Sequence, residues 1–93
     1  MNPETLVRRN GSVIWTDMDG EAVALDPVAG LYHGYDDIAT HIWHLLDEAK
    51  TFDALVDALS RRYAAGREVI ARDLEVFLQD VHARGLVVLD PSI

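Results

Sequence analysis

The sequence predicts an α+β fold, an N-terminal three-stranded antiparallel β-sheet followed by three α-helices. Three observations carry that reading. Asp19-Gly20 stands between two runs rich in strand formers, Val-Ile-Trp-Thr-Asp-Met and Glu-Ala-Val-Ala-Leu-Asp. Apolar residues then recur at helical spacing in three successive blocks. The last block closes on Arg84-Gly85, after which the chain turns extended through Leu86-Val87-Val88-Leu89.

The hairpin comes first, over residues 13–26. A two-residue turn matched to the twist of its strands needs positive φ, which Asp and Gly tolerate. Pairing Met18 with Glu21 sets Thr16 opposite Val23 and Ile14 opposite Leu25 on one face, and Trp15 opposite Ala24 on the other. Both faces carry apolar groups, so each is a candidate for cover. Asp26-Pro27 ends the second strand because proline lacks an N–H, and Gly30 permits a turn into a short third strand, Leu31-Tyr32-His33-Gly34-Tyr35. The outer edge of that strand is left with unsatisfied N–H and C=O groups unless a loop, a helix or another chain covers it. Before the hairpin, Asn10-Gly11 is itself a hairpin signal, and Leu6-Val7 leaves an additional strand open.

The first helix is capped by Asp36 or Asp37 and runs to about Asp47, with Ile38, Ile42, Leu45 and Leu46 on one stripe and Trp43 beside it. Thr51 is the N-cap expected for the second, whose buried stripe is Phe52, Leu55, Val56, Leu59 and Tyr63 and whose end is set by Gly66. The third starts near Arg67 or Glu68, buries Ile70, Leu74, Phe77, Leu78 and Val81, and stops at Arg84-Gly85, a cation followed by a C′ glycine. Leu86 to Leu89 continues as a tail or a short strand. Val69 and Val76 lie to one side of the third stripe, with Asp73 and Asp80 on the same flank. That flank either completes the packing or forms one wall of a peptide groove.

Size and charge narrow the function. At 93 residues the chain is read as one domain, spanning 1–93, without a linker, a repeat or a low-complexity segment. A domain of this size buries only about 60–65% of its unfolded surface, which argues against an enclosed active site. No apolar run reaches a membrane span and no targeting segment is evident, so the chain is expected to be cytoplasmic. The lack of cysteine removes disulfides, thiolate metal sites and thiol nucleophiles together. A net charge of −8, with basic residues dense only at Arg8-Arg9 and around Arg61-Arg62 and Arg67, disfavours nucleic acid and favours a neutral or basic polypeptide.

Catalytic chemistry is poorly served. His41 and His44 stand at i, i+3 without a third ligand, and read as surface or interface histidines rather than a metal site. Ser12, Ser60 and Ser92 lie in no nucleophile elbow, and Gly30 and Gly34 lack the lysine and further glycines of a phosphate cradle. Asp47-Glu48 and Asp57 are solvated faces; Trp15 and Trp43 belong to the core or its rim rather than to a ligand platform. No cofactor, no metal and no enzymatic activity are expected. Leu31, Tyr32, His33 and Tyr35, aromatic residues on a candidate edge strand, either shield the sheet or meet an added strand.

The order of the pieces resembles the PqqD-like proteins, also called RiPP precursor recognition elements. The pieces are Val-Ala-Leu-Asp-Pro, Gly-Leu-Tyr, Ile-Ala-Thr-His-Ile-Trp-His-Leu-Leu, Thr-Phe-Asp-Ala-Leu-Val-Asp-Ala-Leu-Ser-Arg-Arg-Tyr, and Asp-Leu-Glu-Val-Phe-Leu-Gln-Asp-Val-His-Ala-Arg-Gly-Leu-Val, together covering about residues 13–89. The chain departs from the pattern at Gly34-Tyr35-Asp36-Asp37, where many relatives read Leu-Asn and a small residue. The resemblance implies a winged-helix-like domain that binds the leader of a ribosomally made precursor peptide and delivers it to processing enzymes. It implies a strand wall of Leu31, Tyr32, His33, Gly34 and Tyr35 and a helix wall of Val69, Arg72, Asp73, Val76, Phe77 and Asp80, with Asp73 or Asp80 meeting a leader cation or hydroxyl. The subclass favoured is the freestanding leader-binding subunit of a lasso-peptide pathway, working with a transglutaminase-like leader peptidase and a cyclase. The alternatives are the pyrroloquinoline quinone precursor chaperone and, behind it, a winged-helix DNA-binding regulator.

Overall fold

The computed structural model describes residues 1–25 and 36–90 and the backbone of residues 32–34. Along the chain run β1 (Leu6–Arg9), β2 (Trp15–Met18), β3 (Glu21–Leu25), β4 (Tyr32–Gly34), α1 (Asp37–Leu45), β5 (Lys50–Thr51), α2 (Phe52–Arg62), α3 (Arg67–Ala83) and β6 (Val87–Asp90). The strands form two antiparallel sheets, ordered β2-β3-β4 and β5-β1-β6. The first is the three-stranded sheet expected before the helices. The second joins the ends of the chain, with Leu6 opposite Asp90 and Arg9 opposite Val87.

The hairpin has the expected register: Trp15 pairs with Ala24, Thr16 with Val23 and Met18 with Glu21, and the Leu25 N–H reaches the Ile14 carbonyl at 2.9 Å. Its turn residues sit at positive φ, 53° at Asp19 and 83° at Gly20, as the twist of the two strands demands. Its two faces differ in burial. Ala22 and Ala24 are fully buried on the α1 side, whereas Ile14 and Met18 on the other face are 67% and 57% exposed.

Asn10-Gly11 does not join paired strands; it carries the chain from one sheet to the other. The Asn10 carboxamide oxygen accepts the Ser12 N–H at 3.0 Å, while its nitrogen donates to the Gly85 carbonyl at 2.8 Å and its backbone N–H donates to Leu86. The same turn thus fastens the start of the chain to the end of α3. Arg9 locks the neighbouring layer: its guanidinium lies 4.6 Å from the Trp15 ring centroid and 5.1 Å from that of Trp43, and its Nε donates to the Trp43 carbonyl at 3.0 Å. Trp15 meets Trp43 edge-on at 5.9 Å; Trp43 is buried in the core and Trp15 packs half-buried at its rim, as expected of the two.

Side-chain caps start the first two helices. The Asp36 carboxylate accepts the Ala39 N–H at 2.8 Å, and the Thr51 hydroxyl accepts the Ala54 N–H at 3.1 Å. Helix α1 ends at Leu45, a little before the expected Asp47. Gly66 does not end α2, which stops at Arg62 with Tyr63 as its C-cap; it is instead the N-cap of α3, and its carbonyl accepts the Ile70 N–H at 3.0 Å. Helix α3 ends as expected, with Arg84 at the C-cap and Gly85 at φ 77°. The core where sheet and helices meet is built on Val7, Trp43, Leu55, Val56, Leu78, Val81 and Leu86. Among the described residues no helix is long and apolar enough to cross a membrane.

Candidate functional site

The backbone of β4 defines the first half of the site. In an antiparallel ladder, successive residues send their N–H and C=O groups alternately to the two sides. The residues flanking the two-residue turn, Met18 and Glu21, exchange hydrogen bonds, so Glu21, Val23 and Leu25 face β2 while Ala22 and Ala24 face the other way. Ala24 is opposite His33, so His33 spends its backbone groups on β3. Tyr32 and Gly34 therefore direct theirs to the outer edge, and β4 is the last strand of its sheet. Beyond Gly34 the ladder is taken over by a side chain: the buried Thr40 hydroxyl of α1 accepts the Ala22 N–H at 3.0 Å.

The second half is a groove of about 280 Å³ that begins two residues past β4. Asp36, Ile38, Ala39 and Ile42 of α1 and its cap form one wall, Val69, Ile70, Asp73, Leu74 and Phe77 of α3 the other, and Leu59 with Tyr63 and Ala65 closes it from the α2 side. Its volume lies just below the range of about 300–1,000 Å³ typical of small-molecule pockets, which suits one or two large apolar side chains better than a cofactor. Ile38 and Val69 lie 49% and 43% exposed at its mouth.

Of the expected helix wall, Val69, Asp73 and Phe77 line this groove. Arg72, Val76 and Asp80 do not; they lie exposed along the outer flank of α3, Val76 at 64%. The reading in which Val69 and Val76 complete the packing does not hold, since both remain exposed. Of the expected strand wall, Tyr32, His33 and Gly34 form β4, whereas Leu31 and Tyr35 lie outside the described residues. The α1 wall was missed from sequence. Its signal was present in Ile38, which shares a stripe with Ile42 but projects past the core.

Electrostatics divides the acidic residues into two groups. Asp80 is paired with Arg84 one turn on, whose Nε lies 3.3 Å from both carboxylate oxygens. Arg67, at the start of α3, is turned toward α2, where it binds Asp57 and reaches Asp53 at 2.6 Å. These contacts, the hydrogen bond donated to Asp57 foremost, hold the Arg67 guanidinium above its ordinary pKa. Among the described residues, Asp36 and Asp73 are the carboxylates that line the groove itself, and no cation lines it. His41 does not line the groove; it lies 6.1 Å from the Tyr63 ring centroid and, with Leu45, Arg61 and Arg62, lines a separate shallow depression. Among the described residues no three His, Cys, Asp or Glu side chains gather as a metal site.

A terminal strand of a sheet beside an apolar groove is the geometry with which domains take up extended peptides. The family model for coenzyme PQQ synthesis protein D (PqqD) matches residues 1–87, and the chain belongs to that family. PqqA binding proteins of Rhodopseudomonas palustris are similar over 52 residues, at 42% identity in strain TIE-1 and 40% in strain ATCC BAA-98 / CGA009. Each match covers 56% of this chain and 51% of the relative, so the chain spans about half the length of the curated relatives it matches. Among solved structures, TbiB1 in complex with the TbiA(beta) leader peptide is similar at a TM-score of 0.79 and 32% identity, over 86% of this chain and 93% of that one.

Proposed function

We propose that this chain is a non-catalytic adaptor that binds the leader segment of a ribosomally synthesised precursor peptide and presents it to processing enzymes. The leader adds as a fourth strand against the backbone groups of Tyr32 and Gly34 and seats apolar side chains in the groove between α1 and α3. Backbone hydrogen bonds supply register and the groove supplies selectivity. The observation that carries the reading is the conjunction of the outward-facing edge of β4 with an apolar groove starting at Asp36. The likeness to TbiB1 in complex with the TbiA(beta) leader peptide, over 86% of this chain and 93% of that one, supports leader binding. Within that reading the chain serves a lasso-type pathway, with a transglutaminase-like leader peptidase and a cyclase as its partners.

A second reading rests on the PqqD family model and the PqqA binding relatives: the same edge and groove present a quinone-precursor peptide to a radical enzyme. The acidic chain, with two carboxylates on the groove, weighs against nucleic acid as the ligand. Fluorescence polarisation with the labelled leader peptide encoded beside the gene tests the proposal. Saturable binding of that leader and none of its scrambled sequence is the expected result; no binding of the true leader up to high micromolar protein overturns it.

A further inference from the structure

We infer that the groove selects a cationic leader: a Lys or Arg placed next to the apolar anchor, received by Asp73. The inference rests on the peptide-binding reading above and names the chemistry of the peptide. Three observations carry it. Among the described residues the walls of the groove are otherwise uncharged and mostly apolar, and the charged groups that line it are the carboxylates of Asp36 and Asp73. One oxygen of Asp36 is engaged in capping α1 through the Ala39 N–H, which leaves Asp73 as the lining carboxylate that is not part of a helix cap. The competing carboxylate on the same flank, Asp80, already holds Arg84.

The cations near the start of α3 do not neutralise the groove. Arg67 is held by Asp53 and Asp57 of α2, and Arg72 projects from the exposed flank without lining the groove. With a net charge of −8 behind it, the chain attracts a basic segment and repels an acidic one at a distance. At contact, a Lys or Arg beside an anchor in the groove gains a charge-assisted hydrogen bond at the apolar rim, where screening is weaker than in open solvent.

The test uses the full chain and the labelled leader encoded beside the gene, in wild-type form and with each Lys or Arg changed to Gln. Asp73→Asn is expected to weaken binding by about fivefold, the size of one partly exposed charge pair. Asp80→Asn is expected to leave binding unchanged. Neutralising one particular leader cation should reproduce the Asp73→Asn loss and add nothing to it, since the two changes remove the same contact. Added salt should weaken wild-type binding more than Asp73→Asn binding. Tight wild-type binding that is indifferent to Asp73→Asn and to every cation change overturns the inference and leaves the peptide-binding reading standing. Failure of the wild-type protein to bind the leader at all overturns both.

Discussion

The buried hydroxyl of Thr40 accepts the backbone N–H of Ala22 at 3.0 Å, joining α1 to the central strand of the hairpin sheet. That bond stands where β4 stops, so the same residue closes the ladder and fixes where the helix begins to wall the groove. Ala22 and Ala24 make the close approach possible, because both are fully buried under α1 and carry only a methyl group. Thr40→Val keeps the shape and leaves the Ala22 N–H without its acceptor, at a cost of about 1–3 kcal/mol. Thr40→Ser should recover most of the loss; urea unfolding of the two variants against wild type checks both.

Gly66 is an N-cap without a capping side chain, at φ −62° and ψ 145°, and a Cβ there meets nothing within 4 Å. Serine adopts that backbone freely, supplies the missing acceptor and narrows the unfolded ensemble. Gly66→Ser is expected to stabilise by about 0.5 kcal/mol. Calorimetry should register this as a rise in Tm of about 2–4 °C.

Groove and outer flank are expected to respond differently to the same substitution. Val69→Asp places a carboxylate in the wall of an apolar groove, whereas Val76→Asp falls on the flank outside it. Both residues are exposed in the free protein, so neither change removes a core contact. Leader affinity should fall at least about tenfold for Val69→Asp and clearly less for Val76→Asp, as read by polarisation on variants whose circular dichroism matches wild type.

His41 is held below its ordinary pKa of 6.5, first by desolvation and then by its electrostatic interactions with Arg62 and His44. The folded state therefore resists a proton that the unfolded chain accepts. The contribution to stability is complete above about 6.5, and is lost as the pH falls through the depressed folded value. His41→Gln should flatten the acid side of the stability profile below neutrality, measured by unfolding across that range.

How far the sequence carried this account depended on the range of the interaction involved. The hairpin register was legible because Asp19-Gly20 dictates the turn and the side chains alternate from there. Asp36 and Thr51 were legible as caps because the acceptor and the N–H it receives are three residues apart. The second sheet was not, since β5 has two residues and β1 finds β6 at the opposite end of the chain. Ile38 shows the same limit at the site. Its spacing from Ile42 places it on the apolar stripe of α1, but whether that stripe meets core or groove is decided by where α3 packs. For Gly66, the glycine marked the break between two helices correctly, yet local sequence does not say which of them it serves.

Amide hydrogen exchange of the free protein and of its complex with the leader tests the central claim most directly. In the free protein the His33 amide, bonded to β3, should be protected while those of Tyr32 and Gly34 exchange quickly. The leader is predicted to slow exchange at Tyr32 and Gly34 together, as a strand added at that edge must. Leader binding that leaves both amides as fast as before would contradict the strand-addition site.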